Sequence, residues 1–254
     1  MPINESDIEE RKPEELLKPE HVEEYKLWHK DIWDRLIQIN TSIMILESIQ
    51  KYPIDNLFFP PENIFLERVY WNFTYTCVVM LHGLISDQSS NSVVTLRHFK
   101  NHLISTWLKD SEKASFQEGL KQNRFSDNFK LLEEKSKNMR HKVIAHRDRK
   151  TICESIPGLS ISELRSFFNE TEVMFRFCTF GGDYHNSLYP PSSHKGKPEQ
   201  KDIDYLMELL IKNSPWFNSP EIQAPYWSGI REHKSKEFLE ELNRWRRKFG
   251  FPDA

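Results

Sequence analysis

Apolar residues recur along this chain at alternating separations of three and four, the repeat of a helix with one buried face. The first stripe is Tyr25, Trp28, Ile32, Leu36, Ile39, Ile43, Leu46 and Ile49, and Pro53 ends it. After Pro60-Pro61 a second helix is predicted to about Ile85, with Leu66, Val69, Phe73, Cys77, Met80 and Leu84 on one face. Residues 87–91 read as a polar turn, and Ser92 as the N-cap of a third helix carrying Val93, Leu96, Phe99, Leu103 and Trp107. The polar run 110–118 blurs the boundary before the next element. A fourth helix takes in Phe125, Phe129, Leu132, Met139 and Val143. A fifth starts near Ser160, carries Leu164, Phe167, Phe168, Val173, Met174, Phe175 and Phe177, and stops at Gly181-Gly182.

No alternating strand pattern of useful length interrupts these stripes. The expected fold class is therefore all-α, an antiparallel helical bundle with a C-terminal helical appendage. Residues 183–199 are polar and rich in Pro, Ser and Gly, a linker composition. Two further helices are expected at about 200–213 and 230–249. The expected organisation is an acidic flexible arm over 1–19, a bundle over 20–182, and a linker with helical extension over 183–254. The two prolines Pro13 and Pro19 and the acid content mark the arm as mobile or loosely docked.

Composition narrows the picture in three ways. Seven Trp, eight Tyr and seventeen Phe in 254 residues supply bulk for a sizeable core. No run approaches the length of apolar residues needed to span a membrane, and the acidic N-terminus lacks a signal-peptide pattern, so a cytoplasmic location and no membrane partner are expected. Cys77, Cys153 and Cys178 are odd in number and far apart, which reads as ordinary thiols. His185 and His194 form no ligand spacing with other residues, and neither a metal nor a cofactor is expected. A Gly-rich phosphate loop and a paired-carboxylate motif are also missing, which disfavours nucleotidyl transfer.

The net charge of −3 offers nucleic acid no global attraction, yet cations are concentrated locally. Between Lys135 and Lys150 there are seven Lys or Arg and a single acid, Asp148. The run reads Arg140-His141-Lys142-Val143-Ile144-Ala145-His146-Arg147-Asp148-Arg149-Lys150 at the end of the fourth helix. Arginine offers a permanently charged, bidentate fork for phosphate oxygens, and imidazole exchanges protons near neutral pH. Metal-free RNA cleavage needs both: a base for the ribose 2′-OH and a cation for the phosphorane. Arg140 and His146 are the catalytic candidates, and His141 and Asp148 possible accessories. Lys142, Arg147, Arg149 and Lys150 are candidate contacts to RNA phosphates.

An arginine followed at this short spacing by a histidine and then Arg-Asp resembles the motif of HEPN domains, in the version of the family associated with abortive infection. Leu84-Ile85-Ser86-Asp87 and Ser92-Val93-Val94-Thr95-Leu96 resemble that family's second and third helices, and the likeness covers roughly residues 20–180. It implies an all-α bundle, a homodimer with motifs from two protomers in one cleft, and a metal-independent endoribonuclease acting as toxin or antiviral effector. A protein antitoxin or regulator is then an expected partner beside RNA. The family commonly has a polar residue, often Asn, where His141 stands, and the subgroup with a His-x-Tyr ending is not matched.

Simpler roles compete at each position. On a regular helix six residues turn a side chain through roughly 600°, so Arg140 and His146 stand about 120° apart. They converge only if the helix breaks between them or a second protomer supplies one of them. Arg140 has Glu133 and Glu134 within reach on its own helix. Asp148 either orients His146 or offsets its neighbouring arginines, and the cations match the helix macrodipole. Asp87, Tyr70, Trp71 and Tyr75 read as structural, the three aromatics as core. Arg244-Trp245-Arg246-Arg247-Lys248 reads as the basic end of an amphipathic helix. The alternative function is a non-catalytic RNA-binding or partner-sensing module, with 214–227 as its partner surface. Nine acids against three Lys or Arg in residues 1–24 also allow the arm to cover the basic motif.

Overall fold

The computed structural model describes residues 12–52, 62–86, 94–145, 159–180, 198–214 and 236–253. Among them every regular element is helical, and the one isolated β-bridge joins Leu17 to Leu108. The helices are α1 (Pro13–Leu16), α2 (Val22–Ile49), α3 (Glu62–Ile85), α4 (Leu96–His102), α5 (Asp110–Gln122), α6 (Phe125–Ala145), α7 (Ile161–Arg176), α8 (Pro198–Asn213) and α9 (Lys236–Lys248). The fold is all-α. The chain divides into two compact units, one of residues 1–43 and 74–191, the other of residues 44–73 and 192–254. Residues 192–254 thus share a unit with 44–73.

In the first unit neighbouring helices run antiparallel. Lys135 of α6 bonds Glu170 of α7 at 2.5 Å, and two turns later Lys142 bonds Glu163 at 2.9 Å. Tyr25 of α2 meets Phe180 beyond α7, while Asn40 accepts from Arg165 near the start of α7. Arg97 of α4 pairs with Glu133 of α6, and Lys100 lies over Phe125, one end of α6. The α2 stripe is buried as its periodicity predicts: Tyr25, Ile32, Leu36, Ile39 and Ile43 are fully enclosed. Tyr25 packs its ring on Phe99, Trp107 and Phe180 at 5.4–5.8 Å. Each such aromatic pair adds about 1 kcal/mol to the burial itself.

Several boundaries differ from the sequence reading. The cap of α4 is Thr95, whose hydroxyl accepts from the His98 amide, so the helix starts at Leu96 rather than after Ser92. A five-residue π turn, Leu103–Trp107, continues α4 and keeps both Leu103 and Trp107 buried. The polar run after Lys109 forms a helix of its own, α5, with no buried residue and acids in its first turn. The N-terminal segment is docked from residue 12 onward. Leu16 and Leu17 are buried, Lys18 donates its amide to the Trp107 carbonyl, and Lys109 donates to the Leu16 carbonyl. On α3 the buried face is Thr74, Cys77, Val78, Leu81, Leu84 and Ile85, while Val69, Phe73 and Met80 are only half-buried. Trp71 and Tyr75, expected in the core, are 47% and 37% exposed. At α7 the prediction holds at the start: Ser160 and Glu163 cap each other's amides in a capping box.

In the second unit Met44, Leu46, Ile49 and Tyr52 are buried, as are Leu66, Met207 and Ile211. The Tyr52 ring lies 5.3 Å from Trp245, and its hydroxyl reaches the Asp204 carbonyl at 3.5 Å.

Candidate functional site

Helix α6 presents its basic end through a simple register. Phe125, Phe129, Leu132, Ser136, Met139 and Val143 are buried, three or four residues apart. Arg140 and His141 follow Met139 and are exposed, and Lys142 is half-buried. The helix is unbroken from Phe125 to Ala145. His146, Arg147, Asp148, Arg149 and Lys150 lie outside the described residues, as do Asp87 and Cys153.

Three of the candidate side chains can therefore be located. Lys142 is engaged: it bonds Glu163, the residue that closes the capping box of α7. That lysine, with the Ser160 amide, holds the Glu163 carboxyl at about 2, well below the usual carboxylate range. Arg140 is the opposite case. Glu133, its possible partner on the same helix, is taken by Arg97 at 2.6 Å, and no carboxylate among the described residues pairs with Arg140. His141 projects from the same end without a hydrogen bond among the described residues.

A neighbour of Arg140 was not foreseen. His82 of α3 shares a hydrogen bond of 2.8 Å between its Nδ1 and the Ser136 hydroxyl, one turn before Arg140. Burial first, then the Arg140 guanidinium and Lys137, push the imidazole below its usual range, so it is neutral at pH 7. Arginine, imidazole and hydroxyl are thus gathered at one place by α3 and α6. The sequence held a signal for it: Ser136 is a polar residue standing in the apolar register of α6, and His82 adjoins the buried Val78, Leu81 and Ile85 of α3. A polar group at such a position in each of two helices marks a buried pair.

The other basic run serves its own unit. Arg246 is buried and donates to the Pro252 carbonyl at 2.5 Å, Arg247 pairs with Asp253, and Lys248 lies over the Trp245 ring. Cys77 and Cys178 are buried free thiols, and burial pushes the Cys77 thiol up to about 12. Among the described residues no cluster of three or more His, Cys, Asp or Glu is placed to hold a metal ion, and no helix is long and apolar enough to cross a membrane. No known family model, curated protein or solved structure matches this chain. The functional reading therefore rests on the residues of α6 and their surroundings.

Proposed function

We propose that the chain is a metal-independent endoribonuclease of the HEPN type, acting as a homodimer in phage defence or a toxin-like stress response. In this reading His146 takes the proton of a ribose 2′-OH, and the 2′ oxygen attacks the adjacent phosphorus. The bond from phosphorus to the 5′ oxygen breaks, and that oxygen takes up a proton. Arg140 holds the non-bridging oxygens while charge builds on the phosphorane. The observation that carries the reading is Arg140 itself: exposed at the basic end of α6, with no carboxylate among the described residues to occupy it. The unbroken helix through Ala145 leaves little room for a bend between Arg140 and His146, which favours convergence across two protomers.

Purified protein in EDTA is expected to cleave single-stranded RNA and leave a 2′,3′-cyclic phosphate. His146→Ala and Arg140→Ala should each lower the rate by about a hundredfold or more while melting like the parent. Cleavage that needs an added metal, or full activity in both variants, refutes the assignment. A second reading, a non-catalytic partner-sensing module, draws support from α8. Its face of Tyr205, Leu206, Leu209 and Leu210 is exposed and apolar. Salt-sensitive RNA binding with no cleavage product would favour that reading.

A further inference from the structure

We propose that His82 is a second phosphate-contacting residue of the Arg140 site, so that RNA binding there draws a proton onto its imidazole. The inference rests on the reading of Arg140 as a phosphate-holding residue and adds a residue from another helix.

The geometry is specific. Nδ1 of His82 is committed to the Ser136 hydroxyl at 2.8 Å, which leaves Nε2 as the ring atom able to meet a ligand. Arg140 stands one turn beyond Ser136 on α6, and the charges of α6 that act on the imidazole are those of Arg140 and Lys137. Both are cations. An anion bound by Arg140 would offset that repulsion and make protonated His82 favourable. Ser136 permits the change without losing its bond. A hydroxyl can donate to a bare Nδ1, or accept from a protonated one by rotating its hydrogen.

The phosphodiester is the ligand class this set fits: one bidentate cation and one donor that gains charge on demand. The site differs from the sequence motif in that both nitrogen donors come from the same chain. His82 can therefore contact RNA whether or not a second protomer brings its His146 near.

The test uses a short 2′-O-methyl RNA oligonucleotide, which lacks the attacking hydroxyl, so that binding is read apart from cleavage. Calorimetry of the full chain between about pH 5 and pH 8 should show affinity rising about tenfold toward the acid end. Arg140→Ala should weaken binding about tenfold throughout that range. His82→Gln keeps a donor but cannot be protonated, and should flatten the pH dependence while retaining most of the affinity at pH 8. NMR titration of the parent protein should show the His82 ring titrating higher in the complex, a readout that does not depend on how the variant folds. An unchanged His82 titration on saturation, an unchanged pH slope in His82→Gln, or no binding overturns the inference. If binding follows His82 but unmodified RNA is never cleaved, the nuclease reading fails and the phosphate site stands. Cleavage together with pH-independent binding gives the reverse.

Discussion

His29 shows how a residue with no part in the proposed chemistry can still govern behaviour. It sits on α2 between the rings of Tyr25, Trp33 and Phe175, and burial pulls its imidazole down to about 4. In the unfolded chain the same ring titrates near 6.5, so as the pH falls below that value the unfolded state gains a proton first. Stability is unaffected above the unfolded value and declines through the window down to about 4, by up to about 3 kcal/mol from this group. Urea melts should show that loss, and His29→Gln should remove most of the slope across the window. An unaltered slope would mean that other groups set the acid sensitivity. Glu163 acts lower on the scale. Its depressed carboxyl adds stability above the usual carboxylate range and forfeits it as the pH falls toward about 2. The two residues therefore erode the fold in separate pH windows, His29 first.

At the scale of the helix, α8 has two apolar faces with different roles. Met207 and Ile211 are buried, whereas Tyr205 and Leu206 are 65% and 48% exposed. Met207→Ala and Ile211→Ala should each cost about 2–5 kcal/mol in denaturant melts. Leu206→Gln and Leu209→Gln should change stability by no more than about 0.5 kcal/mol. Equal costs on the two faces would show that something covers the outer one. The contrast among helices explains what the sequence can disclose. In α2 the apolar residues fall in one stripe with charged residues around it, and the buried face is legible at once. In α3 apolar and aromatic residues surround the helix, so Val69, Phe73 and Met80 looked as good a stripe as the true one. Helix α5 buries nothing, so no periodicity marks it, and only its acidic first turn hints at a start. Arg140 is legible because it adjoins the α6 stripe. His82 and Ser136 each stand out as polar residues beside an apolar register, but their pairing does not, because they lie 54 residues apart and no local rule joins two such positions.

The whole molecule is not assembled in the order of its sequence. One unit combines 44–73 with 192–254, so Tyr52 has Trp245 and Asp204 as neighbours from the far end of the chain. A chain cut after residue 191 should lose more than an appendage. It leaves Tyr52, Met44 and Leu46 without the larger part of their unit. The expected result is strong binding of a hydrophobic dye and a broadened melt compared with the full chain. A truncated protein with a sharp melt at the parental temperature would show that 44–73 needs no partner. The clasp at the other end of the sequence has a consequence of its own, one of timing. Leu16 and Leu17 leave the ribosome long before Leu108 has been made, yet their bridge and amide bonds need Trp107, Leu108 and Lys109. Until that point a newborn chain carries a bare leucine pair. A chain stalled short of residue 108 would keep that pair open, a mark by which chaperones or proteases could tell unfinished copies from finished ones.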